Sequence, residues 1–253
     1  MQYRQLGRTG YTVSEIGFGA WGVGGAMWQG GEDAASLSAL ATAFDLGVTF
    51  VDSALAYGDG HSERLVARAV ARRGERIVIA TKIPPDNRIW PAPVGVPLAR
   101  TFPADSVRRC AETSAANLGR PVDLLQFHVW RDEWLRDDEW KKVERALASL
   151  ITEGTVRHVG ISVNDHDPDS AIEAVRHCDL VSCVQVIYNI FDRTPERNLL
   201  PACVERGVGV IARVPFDEGG LTGAIRPGVT FPPGDWRHRY FQGERPAEVA
   251  ARV

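Results

Sequence analysis

Short, uniformly apolar runs alternate along this chain with amphipathic helical stretches, and few architectures accept that order. Ile16–Gly19, Val48–Asp52, Ile77–Lys82, Asp123–His128, Val156–Ser162, Ser182–Ile187 and Val208–Arg213 read as strands. Between them, Glu32–Leu46, His61–Arg73, Asp105–Leu118, Asp138–Glu153, Asp169–His177 and Pro195–Arg206 read as helices, each with an apolar face such as Leu37, Leu40, Ala41 and Phe44. The strands are too evenly apolar to keep one face wet. They belong in a parallel sheet covered by helices. Tyr3–Leu6 and Tyr11–Glu15 flank Gly-Arg-Thr-Gly and predict a small N-terminal hairpin.

Alternation alone permits a β/α barrel or an open doubly wound sheet. The second has one point in its favour, since Gly17-Phe18-Gly19-Ala20-Trp21-Gly22 satisfies G-x-G-x-x-G after a strand. No helix opens at once behind it, however, and no acidic residue ends a strand about 20 positions later, so the dinucleotide fingerprint fails. A chain of 253 residues has the length one β/α barrel needs. We expect a single barrel domain over residues 1–253, of the (β/α)8 type, with seven core strands legible and the eighth β/α unit missing.

In such a barrel the reactive mouth lies at the C-terminal strand ends. There the apolar runs stop at Asp52 (with Tyr57 close behind), Lys82, His128, Ser162 (with Asn164 beyond), Gln185 and Arg213. A tyrosine of ordinary pKa about 10 is a poor proton donor near neutral pH. A lysine ammonium beside it favours the phenolate, and a carboxylate keeps that lysine charged. A neutral imidazole can orient a carbonyl. The set suits protonation of a carbonyl oxygen while hydride arrives from elsewhere, and a nicotinamide is the implied source. Taken singly, each residue has a structural reading: an ion pair, a packed tyrosine, a hydrogen-bonded histidine. The constellation carries more than its members.

The segments LGRTG, VSEIGFGAWGVGG, GVTFVDSALAYGDGHSERLV, IATK, DLLQFH, GTVRHVGISVN, VQVIYN and GVGVIARVPFDEGGLTG together resemble the aldo-keto reductases over nearly the whole chain. The resemblance implies a (β/α)8 barrel that reduces a small aldehyde or ketone with NADPH. By position it makes Tyr57 the general acid, Lys82 its modulator, Asp52 the partner of Lys82, and His128 the carbonyl orienter. It places Ser162, Asn164 and Gln185 at the nicotinamide carboxamide, with Val163 separating a Ser-Asn pair that is often adjacent in the family. Arg213 falls beside the nicotinamide; Val214, Pro215, Glu218, Gly220 and Leu221 fall on the pyrophosphate loop, and Trp21 at cofactor or substrate. Trp90, Trp130 and Trp236 are the expected substrate contacts, with Ile89, Pro91, Phe102, Tyr240 and Phe241 as further lid aromatics and apolars, and Arg131, Asp132 and Trp134 at the border. The family usually continues past the helix-like Glu244–Val253, which predicts that this chain is a shortened form.

The remaining composition narrows the classes. A net charge of −3 offers no general attraction to nucleic acid. No apolar run approaches the roughly 20 residues of a membrane span, and the N-terminus lacks a signal core. Cys110, Cys178, Cys183 and Cys203 form no C-x-x-C pair or zinc spacing and suit a reduced, cytoplasmic setting. Two other readings stand beside the reductase. One is a binding or regulatory protein on the same scaffold; the other is a lyase or isomerase using Lys82 as a Schiff base, which Asp52 disfavours by keeping the lysine charged. Oligomeric state is not legible.

Overall fold

The computed structural model describes residues 1–25, 31–71, 73–74 and 76–253. Strands β1 (Tyr3–Gln5) and β2 (Thr12–Ser14) form the expected antiparallel hairpin. A parallel sheet follows in strict sequence order: β3 (Phe18–Gly19), β4 (Phe50–Asp52), β5 (Val78–Ile83), β6 (Val122–Phe127), β7 (Val156–Ser162), β8 (Val181–Ile187) and β9 (Gly209–Arg213). Helices α1 (Asp33–Asp45), α2 (His61–Val70), α3 (Leu98–Thr101), α4 (Ala104–Leu118), α5 (Trp140–Thr152), α6 (Ile172–His177) and α7 (Leu199–Arg206) connect them. The chain then crosses a short 3-10 segment, Asp217–Thr222, and ends with α8 (Trp236–Tyr240) and α9 (Arg245–Arg252). Helix α2 stops at Val70, short of the expected Arg73, and position 72 lies outside the described residues.

The sheet curls. Gln185 on β8 donates to Asp52 on β4 at 2.9 Å, although these strands stand four places apart. In a flat sheet, four steps of about 4.8 Å would hold them nearly 20 Å apart. The seven strands therefore form most of a barrel wall, and β3 and β9 are its edges, with no strand among the described residues pairing to both. Parallel strands follow from the connections, because each pair is joined by a crossover containing a helix.

Side-chain alternation builds the barrel interior in layers. The lower layer holds Leu6, Val13, Phe50, Val78, Ala80, Leu124 and Cys183. Two residues further along each strand, on the same face, come Asp52, Lys82, Gln126 and Gln185, so the polar set sits on an apolar floor. A larger cluster on the outer face, including Leu40, Val66, Val107, Leu147 and Val175, welds helices to sheet. The hairpin turn closes the far end. Gly7, at φ +50, lies so near β9 that a Cβ there would overlap the Gly209 backbone, and only glycine fits.

Candidate active site

Strand β4 delivers Asp52 to the mouth and β5 delivers Lys82; in register, Asp52 stands opposite Ala80, one pleat below Lys82. The Lys82 ammonium donates to Asp52 Oδ2 at 2.6 Å, to the Ser53 carbonyl at 2.8 Å and to the Tyr57 hydroxyl at 3.4 Å. It is 1% exposed, so its three donors meet protein acceptors rather than water. The other carboxylate oxygen of Asp52 accepts from Gln185 at 2.9 Å and Gln126 at 3.2 Å. Four strands thus converge on one carboxylate.

Tyr57 lies beyond β4 in a turn fixed from several sides. Its amide donates to the Ala54 carbonyl, and its carbonyl accepts from the Ser62 amide at the start of α2. The Ser62 hydroxyl bridges this turn to the Ala20 carbonyl, and Ser53 donates to Ser62. Gly24 packs so close that a Cβ there would stand 2.8 Å from the Tyr57 carbonyl carbon. The ring meets His128 edge-on at 5.8 Å and stacks on Trp21 at 6.2 Å. Trp90 also meets His128 edge-on, at 5.7 Å, and Trp236 meets Trp21 at 5.8 Å. The phenol and imidazole sit within an aromatic wall of Trp21, Trp90 and Trp236.

The electrostatics separate these groups. Burial pushes the Tyr57 phenol up; Lys82 pulls it down without overcoming burial, and Asp52 adds to the rise. Burial alone would lower Lys82, but Asp52 and Tyr57 outweigh it and hold the ammonium charged. Burial first, then the positive charges of Lys82 and Arg213, drives His128 well below its ordinary value, leaving a neutral imidazole. Its buried Nδ1 has no hydrogen-bond partner among the described residues. The arrangement is a protonated phenol beside a fixed cation, with a neutral imidazole against the same phenol.

Ser162 and Gln185 are neighbours in register across β7 and β8, both buried. Asn164 exchanges hydrogen bonds with Ala92, accepting from its amide at 3.1 Å and donating to its carbonyl at 3.3 Å, which tethers the long β5–α3 connection. Arg213 donates to the Val163 carbonyl at 3.0 Å and to Asp165 at 2.5 Å, while its Nε is buried with no partner. The following loop has non-glycine residues at positive φ: Val214 (+56), Asp217 (+49) and Glu218 (+54). Such residues cost of order 1–3 kcal/mol each and persist where the surroundings over-determine them, often at ligand clamps. The Phe216–Asp217 step runs from φ −108 to +49, and the amides of Asp217, Gly219 and Leu221 close the loop on the Val214 and Phe216 carbonyls. Arg213 and this loop, with Gly220 and Leu221, fit an anionic dinucleotide; Ser162 and Gln185 fit its amide end. Burial, with added repulsion from Asp217 and Asp165, raises Glu218 to about 7 against the pull of Arg213.

The structure brings Trp90 and Trp236 to the mouth but not Trp130. Trp130 is fully buried, packed against Phe127, Trp134 and Trp140, with its N–H donating to Asp132 at 3.0 Å. Phe102 and Trp134 belong to the same packed cluster, and Phe241 is buried in a tail cluster with Ile225 and Val249. Asp132 accepts from the Glu173 and Ala174 amides, and Arg131 donates to the Ala92 carbonyl, so both are structural ties. Sequence reading missed two contributors. Gln126 was legible from its place two residues after Leu124 on the interior face. Asp217 had no sequence signal.

A parallel β/α wall with an Asp-Lys-Tyr-His set at its C-terminal mouth defines a class, and the comparisons agree. The aldo/keto reductase family model matches residues 15–250, and the chain belongs to that family. It is 31% identical over 234 residues to the aldo-keto reductase yakc [NADP(+)] of Schizosaccharomyces pombe, covering 90% of this chain and 65% of that protein. It is 28% identical over 231 residues to the NADH-specific methylglyoxal reductase of Escherichia coli, covering 87% of this chain and 69% of that one. The solved glycerol dehydrogenase of Gluconobacter oxydans superimposes with a TM-score of 0.78 at 26% identity, over 98% of this chain and 75% of that chain.

Proposed function

We propose that this protein is an oxidoreductase that reduces a small aldehyde or ketone to an alcohol, with NADPH as its partner and Tyr57 as proton donor. The observation that carries the reading is the Lys82 ammonium shared between Asp52 and the Tyr57 hydroxyl, with neutral His128 against the same phenol. Ser162, Gln185, Arg213 and the Val214–Leu221 loop would hold a nicotinamide, which would supply the hydride that protein side chains lack. Tyr57 gives its proton to the carbonyl oxygen. Lys82 stabilises the phenolate left behind, and Asp52 keeps Lys82 charged and in place. His128 orients the carbonyl through its neutral imidazole. Trp21, Trp90 and Trp236 exclude water from the reacting atoms.

The regulatory reading gains nothing specific, since all four groups are present and in contact. The relatives' names carry both nicotinamide forms, and the preference for NADPH follows the family resemblance. A titration of the chain with NADPH and NADH, followed by tryptophan fluorescence, tests it. Trp21 beside the site makes saturable quenching the expected result, tighter with NADPH. Absence of binding by either form would overturn the reading.

A further inference from the structure

Asp217 is almost fully buried, on a loop of high-energy backbone, and its partners come from the C-terminal tail. Its Oδ1 accepts from the Tyr240 hydroxyl at 2.6 Å and from Arg245 at 3.2 Å. Arg245 also donates to the Tyr240 hydroxyl at 2.7 Å, and its guanidinium lies 4.1 Å over that ring. The three groups close a triangle of charge-assisted hydrogen bonds. Gly220 stands against the free oxygen of Asp217: a Cβ there would come within 2.6 Å of Oδ2. The carboxylate is thus wedged between its own loop and the tail. The tail around it is thinly packed: among the described residues its buried cluster is Ile225, Phe241 and Val249. The triangle is therefore a major restraint on how tail and loop sit together.

The same short helix carries a second contact. Trp236, one turn before Tyr240, packs 6.1 Å from it and reaches Trp21, which stacks on Tyr57. The one face of α8 that carries Trp236 and Tyr240 therefore touches the dinucleotide loop at its C-terminal end and the carbonyl pocket at its N-terminal end. From this we infer that Asp217, Tyr240 and Arg245 form a clasp that holds the Val214–Leu221 loop in its binding shape and, through α8, sets the position of Trp236 over the pocket. Asp217 is a positioning residue: it touches neither the phenol nor the lysine, and acts through the loop and through Trp236. Loop order and pocket assembly are then coupled, so weakening the clasp weakens nicotinamide and carbonyl binding together and leaves the Tyr57–Lys82 pair untouched. This inference rests on the reductase reading for its ligands but not for its geometry.

The experiment compares Asp217→Asn, Tyr240→Phe and the double variant with the unmodified chain. Without cofactor, hydrogen exchange at the amides of residues 216–221 should quicken about tenfold or more in each single variant, the scale expected for loss of a charge-assisted hydrogen bond. Exchange in β5 and β6 should not change. NADPH Kd and carbonyl KM should both rise about tenfold, with the rate of the single-turnover hydride step preserved within a few-fold. The double variant should lose less than the product of the two single losses, because both changes break the shared Tyr240–Asp217 bond. Unchanged exchange in the loop overturns the clasp even if the chain binds NADPH. Losses that multiply in the double variant, or a raised Kd with carbonyl KM unaltered, overturn the coupling. An unmodified chain that binds no nicotinamide overturns the reductase reading and the clasp's role in it, a result separable from the exchange data.

Discussion

The two ends of the same sheet hold nearly the same residue types. At the N-terminal end, buried Asp123 accepts from Arg120 at 3.0 Å, from Arg76 at 3.4 Å and from the Tyr11 hydroxyl at 3.4 Å, with Arg157 4.0 Å away. The Tyr11 ring meets His158 edge-on at 5.0 Å. At the C-terminal end the set is Asp52, Lys82, Tyr57 and His128. An Asp, a cation, a Tyr and a His in contact therefore do not by themselves define a reactive site. The difference lies in what the phenol faces. Tyr11 donates to the carboxylate, and burial followed by Asp123 raises its pKa. Tyr57 faces the cation, which favours its phenolate form, and Asp52 is occupied by Lys82 and two glutamines. The lower cations extend into solvent, whereas Lys82 is sealed in, its ammonium held by Asp52, Tyr57 and the Ser53 carbonyl.

This contrast can be broken by substitution. The largest expected effect is Tyr57→Phe, which should lower kcat/KM by about 10²–10⁴-fold, the range of a lost general acid, with NADPH affinity retained. Next comes Lys82→Met. It strips the partly buried Asp52 of its counter-charge, leaving only its two glutamine donors, and should cost about 1–3 kcal/mol in urea unfolding as well as activity. A smaller effect separates the two ends by pH. Glu218, near the mouth, is held at about 7 against an ordinary 4.5. Its carboxyl is neutral in the fold where the unfolded chain has already ionised it. Stability is therefore full below pH about 4.5, falls by up to a few kcal/mol as pH rises to about 7, and is flat above. Glu218→Gln should remove that slope in unfolding measured across the range. The smallest effect is Arg76→Met at the other end, an exposed partner of Asp123, expected to change stability by about 0–1 kcal/mol and kcat/KM not at all.

Much of the site could be read from the sequence because polar residues interrupt apolar runs at the strand ends, where a parallel sheet gives few choices of direction. Asp52, Lys82, Ser162 and Gln185 follow from that pattern, and β7 spans the expected residues. Residues past a strand end escape it. Trp130 follows His128 by two positions, yet its direction is set by the 3-10 turn Asp132–Arg136 and by Phe127, Trp134 and Trp140, which draw it into the core. Asp217 escaped for a similar reason. Its partners, Tyr240 and Arg245, are more than twenty residues away and meet it only because the tail folds back over the loop.

The most direct test sets the two tyrosines against each other. Carbonyl-dependent oxidation of NADPH should be followed for the unmodified chain, Tyr57→Phe and Tyr11→Phe under one set of conditions. Turnover lost in Tyr57→Phe and kept in Tyr11→Phe is the result expected if the mouth end is the reductive site. Turnover kept in Tyr57→Phe, or lost equally in both, would contradict it.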